Sequence, residues 1–264
     1  MPMTTAADGC QIHYERSGSG PTVALIPGLG GDGRFWSGVV SRLADRFDLI
    51  VMDHRGAGRS DRPDKPYSIG IIAQDLLSVL NAERVEATHL VGHSTGGAIV
   101  QTLALDAPAR ARRLVISGSW DRPDARFRAL FEARAALLDA GLSGPYQLLT
   151  HVFGFDPAWM ESPGAELQRA VDVAGEPLAP LSVTAARLRM LLDLDRSAEL
   201  ARVRHETLVI GAAGDVLIPF HHAERLAARI TGAELVRLEG AHFHPSIDPI
   251  PFADAVASFL QRAA

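Results

Sequence analysis

A chain of 264 residues can form one large α/β domain or two small ones, with room for a substantial buried core. Its composition, 47% hydrophobic and 22% charged, is that of an ordinary globular protein. A formal net charge of −5 argues against nucleic acid or an anionic membrane as the main partner, because phosphate binding needs clustered cations. Cys10 is the only cysteine, which excludes an intramolecular disulfide and fits a reducing compartment. No run of residues approaches the length of a membrane span, and Met1 to Asp8 lacks the basic and apolar regions of a secretory signal. A cytoplasmic location and a small-molecule substrate are therefore expected.

Taken in chain order, short apolar runs alternate with longer stretches of helical period. Gln11–Glu15 reads as a first strand and Thr22–Ile26 as a buried one. A helix over Phe35–Leu43 is followed by a strand over Asp48–Asp53. Ile69–Leu80 has helical spacing, Thr88–Val91 is extended, and Thr95–Asp106 is helical again. Arg113–Ser117 is the next strand. This rhythm predicts a mostly parallel central sheet flanked by helices on both faces. Between residues 121 and 195 the strands stop. Helical patterns such as Phe127–Leu138 and Ala185–Leu194 are cut by prolines at 123, 145, 157, 163, 177 and 180. The rhythm resumes with strand Thr207–Gly211, a helix around His222–Ile230, strand Glu234–Leu238 and a final helix Pro251–Gln261. The expected organisation is a core of residues 1–120 and 196–264 with a helical cap, 121–195, inserted between two strands. Such an insertion lies over the carboxyl ends of the strands, where α/β sheets bind ligands.

The run Leu90-Val91-Gly92-His93-Ser94-Thr95-Gly96-Gly97-Ala98 is a strand tail, a Gly-x-Ser-x-Gly turn and the start of a helix. A serine there projects its hydroxyl above the sheet edge beside the free N–H groups of the helix. A serine hydroxyl needs a base, and the base needs a carboxylate to fix its tautomer. His242 directly follows the last strand and is the expected base. His244 is the neighbour expected to line the site or face solvent, while His93, His221 and His222 are expected to be structural or superficial. Asp215, after the strand ending Ile210-Gly211, is the expected acid, and Asp121 after the preceding strand is its competitor. The oxyanion donors are expected to be the main-chain N–H groups of Thr95 and of Leu29, in the loop Ile26-Pro27-Gly28-Leu29-Gly30-Gly31. No phosphate-cradle or dinucleotide glycine pattern is present, nor any His-Glu-x-x-His or Cys/His ligand spacing, so neither cofactor nor metal is expected. Trp120, Phe127, Phe131, Phe153 and Trp159 are candidate pocket residues in and around the cap.

Pro27-Gly28-Leu29-Gly30, Asp53-His54-Arg55-Gly56-Ala57-Gly58-Arg59-Ser60, Gly92-His93-Ser94-Thr95-Gly96-Gly97, Gly214-Asp215 with Pro219, and Gly240-Ala241-His242 together resemble the α/β-hydrolase fold superfamily. The resemblance covers essentially the whole chain outside the cap. It implies a catalytic triad of Ser94, Asp215 and His242, and Asp248-Pro249 at the family's spacing favours His242 over His244. Pro27 departs from the histidine that many members carry there. A serine nucleophile points to acyl transfer, since epoxide hydrolases and haloalkane dehalogenases of this fold use aspartate and dienelactone hydrolases cysteine. The chain resembles carboxylesterases, 3-oxoadipate enol-lactonases and, through Gly118-Ser119-Trp120 and Phe155-Asp156-Pro157-Ala158-Trp159-Met160 of the cap and Leu29-Gly30-Gly31, aminoacrylate hydrolases. The expected activity is hydrolysis of a small ester or lactone through an acyl-enzyme. The alternatives are C–N hydrolysis of an aminoacrylate, carbamate or amide type, C–C hydrolysis and, as a different class, a non-catalytic small-molecule receptor. Fold likeness alone does not set the substrate.

Overall fold

Apolar residues that alternate along the strands assign each of them to two faces at once. In Thr22–Ile26, Val23 and Leu25 face one layer while Ala24 and Ile26 face the other. The structure, a computed structural model, describes residues 2–162 and 167–263. Pro163, one of the prolines expected to break the cap, lies outside them.

The strands are β1 (Met3–Thr5), β2 (Gln11–Gly18), β3 (Thr22–Ile26), β4 (Asp48–Met52), β5 (Thr88–His93), β6 (Ala111–Ser117), β7 (Thr207–Ala212) and β8 (Glu234–Leu238). They form one sheet in the order β1-β2-β4-β3-β5-β6-β7-β8. β1 pairs with β2 and β2 with β4 antiparallel, and every other pairing is parallel. The three-residue β1 has no counterpart in the sequence-based expectation, because so short a strand has no periodicity to read. β4, β5 and β7 are buried along their whole length, as a sheet covered on both sides requires.

Helices α1 (Ser37–Leu43), α2 (Ile69–Ala82), α3 (Thr95–Asp106), α4 (Ala125–Asp139), α5 (Ser143–Gly154), α6 (Pro157–Met160), α7 (Leu167–Asp172), α8 (Gly175–Leu178), α9 (Leu181–Arg189), α10 (His221–Arg229), α11 (His244–Ile247) and α12 (Pro249–Leu260) complete the order. α1 and α12 cover one face through Val39, Leu43, Phe252, Val256 and Phe259. α2, α3 and α10 cover the other through residues such as Leu76, Ile99 and Leu226. α2 begins where Ser68 Oγ accepts the N–H of Ile71, and α4 where Asp124 accepts that of Phe127, both ordinary N-caps.

α4 to α9 all lie between β6 and β7, and α4 packs on α5 and α9. The helix expected over Ala185–Leu194 is observed earlier, at Leu181–Arg189. It opens directly after Pro180, and the buried Leu191 and Leu194 beyond its end sit in a turn whose apolar spacing imitates helical period. No helix among the described residues is long and apolar enough to cross a membrane.

Candidate active site

Ser94 stands between β5 and α3 with φ 56° and ψ −117°, a backbone conformation that L-residues rarely adopt. The two glycines around it are sterically required. A Cβ on Gly92 would lie 2.2 Å from the Gly96 carbonyl oxygen, and one on Gly96 would lie 2.0 Å from that of Ile26. The strand end and the helix start therefore cross in contact, and the serine between them is pushed outward. Its residue is 7% exposed and lines a cavity of about 530 Å³.

His242 lines the same cavity. Its Nδ1 is 2.7 Å from Oδ2 of Asp215, and both side chains are buried. The other oxygen of Asp215 accepts the N–H groups of Leu217 (2.9 Å) and Ile218 (2.7 Å), so the carboxylate is held from both ends. With its Nδ1 on the carboxylate, His242 leaves Nε2 for a partner on the cavity side. The competitor Asp121 is fully buried elsewhere: it pairs with Arg225 and, at 2.8 Å, with Arg229.

The loop after β3 lies against the serine, since a Cβ on Gly28 would come within 3.2 Å of Ser94 Cβ and 3.7 Å of its Oγ. The Leu29 N–H donates to no protein group among the described residues, and that of Thr95, opening α3, has no acceptor within its helix. The loop is braced without the histidine that Pro27 replaces. Gly31 N–H bonds to the Gly28 carbonyl (2.9 Å), His54 N–H to that of Gly31 (2.8 Å), and Gly33 N–H to Asp53 Oδ1 (2.7 Å).

Sequence reasoning placed His93 in a structural role. Its ring is buried, stacks on Phe35 with centroids 5.2 Å apart, contacts Ser117 Oγ at 3.2 Å and comes 4.7 Å from the ring of His242. It also borders the cavity. Burial, and then the nearby His242 and His244, hold it well below the usual imidazole range and keep it neutral. His244 is buried beside Phe252 and away from the cavity, with its pKa pushed down to about 4 by burial. His222, expected at the surface, is buried too.

Of the five aromatic residues expected at the pocket, Phe131 is on its wall. Trp120 and Phe127 lie behind it, in a stack of centroids 4.6 and 4.3 Å apart that fills the core. Phe153 packs against that core, and Trp159 stacks 3.8 Å from Phe155, which takes the position on the wall instead. Helical period identifies apolar faces but does not say which face meets a void. Arg134, Tyr146, His151, Phe155, Leu217 and Phe243 also border the cavity and escaped sequence reasoning. Metal-ligand spacing is missing from the sequence, yet the fold gathers Asp124, His221 and His222 with ligand atoms within 4.8 Å of one another. Asp124 there caps α4, contacts both imidazoles at 3.1 and 3.3 Å, and has Arg225 at 3.9 Å, so hydrogen bonds already occupy the group.

A family model described as alpha/beta hydrolase fold matches residues 21–156. The chain belongs to that family. It is a hydrolase. "Putative carbamate hydrolase RutD" of Caulobacter segnis is 36% identical over 270 residues, covering 99% of this chain and 100% of the relative. A hydrolase from Pseudomonas aeruginosa superposes with a TM-score of 0.88 at 29% identity, covering 99% and 98% of the two chains. The enol-lactonase of Burkholderia xenovorans shares the fold at TM-score 0.91 and 23% identity, over 99% and 100% of the chains.

Proposed function

We propose that this alpha/beta hydrolase is a serine hydrolase that opens a C–N bond of a small carbamate- or amide-like substrate. The observation that carries the serine chemistry is the His242–Asp215 hydrogen bond of 2.7 Å on the wall of the cavity that contains Ser94. The carbamate hydrolase name borne by relatives at 32–36% identity over nearly the whole chain supports the C–N bond, ahead of the ester or lactone expected from sequence.

Ser94 Oγ attacks the carbonyl carbon while His242 Nε2 takes its proton, and Asp215 stabilises the imidazolium that results. The N–H groups of Leu29 and Thr95 receive the oxyanion; one such donor is worth about 10²–10³ in rate. His242 then protonates the departing nitrogen, and water, deprotonated by the same imidazole, releases the acyl group from Ser94. The test is a matched pair: a small amide or carbamate and the ester of the same acyl group, with ammonia or amine release followed for the first. Turnover of both, abolished in Ser94→Ala, is expected. Ester turnover with no amine release returns the assignment to an esterase. Retained turnover in Ser94→Ala removes the serine mechanism.

A further inference from the structure

Three arginines are buried among the described residues, Arg55, Arg134 and Arg187, and only the first is paired with carboxylates. Arg55, 3% exposed, meets Asp75 through two bonds of 2.6 Å and Asp8 through bonds of 2.9 and 3.1 Å. Arg134 of α4 is as deeply buried, 2% exposed, and forms no ion pair among the described residues. One of its five N–H donors reaches Thr150 Oγ1 at 2.8 Å, its Nε has no acceptor, and the group lies over the rings of Tyr146 and Phe131 at 4.8 and 5.3 Å. Those rings fix the guanidinium plane but accept no N–H bond in that plane. Arg134 also borders the cavity that holds Ser94 and His242. Asp32 and Arg34, the other acidic and arginine side chains on that wall, neutralise one another through bonds of 2.9 and 3.0 Å. Arg187, similarly buried, is turned away from the cavity towards the Gly56 carbonyl and the back of the Gly31 loop.

A buried, uncompensated cation is costly unless an anion completes it. A planar fork with free donors matches a carboxylate in two parallel bonds, whereas a phosphate dianion calls for more donors than one guanidinium. We propose that Arg134 is the specificity-determining residue of this hydrolase and binds a carboxylate of the substrate, at a point distinct from the bond that Ser94 attacks. The substrate class is thereby a small acyl compound carrying one additional carboxylate. The inference rests on the serine-hydrolase reading for its catalytic consequence, but carboxylate binding stands independently of turnover.

Two experiments separate these. First, kcat/KM is measured for 4-nitrophenyl hemisuccinate and for neutral 4-nitrophenyl butyrate. The ratio of the two is expected to fall about tenfold or more in Arg134→Gln, and by less in Arg134→Lys, which keeps the charge without the fork and serves as the variant of record should Arg134→Gln fail to fold. Second, succinate binding to Ser94→Ala is measured by calorimetry and is expected to weaken about tenfold or more when Arg134→Gln (or Arg134→Lys, if the glutamine variant does not fold) is added. An equal loss on both esters, or equal succinate binding with and without Arg134, overturns the assignment and leaves the hydrolase reading intact. No turnover of either ester with Arg134-dependent succinate binding upholds the carboxylate site and overturns the serine-hydrolase reading.

Discussion

The turn around Ser94 and the helical segment α4–α9 face one cavity but are built by different rules. At the turn, main-chain atoms set every position: two glycines are fixed by carbonyl oxygens 2.0–2.2 Å from where a Cβ would be, and Asp215 is clamped by two N–H groups. In the helical segment the cavity wall is made of side chains, among them Phe131, Arg134, Tyr146 and Phe155, whose helices hold one another mainly through packing. Backbone geometry admits few substitutions, while a packed wall can be repainted residue by residue. Under the proposed function, the difference separates chemistry, carried by the turn, from selection, carried by the helical segment.

The sharpest break of this comparison lies at the turn. Ser94→Ala is expected to lower kcat by about 10⁶ and Asp215→Asn by about 10⁴, each leaving the thermal transition within a few degrees of the parent. A large loss of Tm in Ser94→Ala would show that the turn is structural rather than chemical. The next largest effect concerns stability. Trp120→Ala empties a fully buried site and is expected to cost about 3–5 kcal/mol in denaturant unfolding. Trp159→Ala, half-buried on Phe155, is expected to cost about 1 kcal/mol or less. Equal costs would erase the distinction between the tightly packed junction and the outer cap.

The last prediction is a pH dependence. Burial pushes His89, His222 and His244 down to about 4 from 6.5. Between these values the unfolded chain takes up protons that the folded one refuses, so their contribution is full above pH 6.5 and is lost as pH falls towards 4. Tm is expected to decline steadily from pH 6.5 to 5, where carboxylates at ordinary values remain ionised. A flat or rising Tm over that interval contradicts buried neutral imidazoles.

Much of the architecture was legible in the sequence because its signals are local. Alternation within Thr22–Ile26, helical period in Ile69–Leu80, and glycines two residues either side of Ser94 each report on neighbours a few positions away. Elements failed where the local signal was weak or imitated: β1 is too short to show a period, and Leu191 and Leu194 extend an apolar spacing past the end of α9. At the site, the sequence favoured Asp215 and kept Asp121 as its competitor; in the structure Asp215 meets His242 while Asp121 lies elsewhere. Arg225 and Arg229 draw Asp121 away, a pairing across about a hundred residues that no local pattern announces.

By itself the sequence determined the strand-turn-helix that presents Ser94, because steric exclusion at Gly92 and Gly96 acts between adjacent segments. Tertiary structure alone decided which side chains meet the void. Phe131 rather than Trp120, Phe155 rather than Trp159, a neutral His93 beside His242 and an unpaired Arg134 all follow from how distant helices pack over the sheet edge. Side-chain direction and burial are properties of that packing, and they are what sets the charge and shape a substrate encounters.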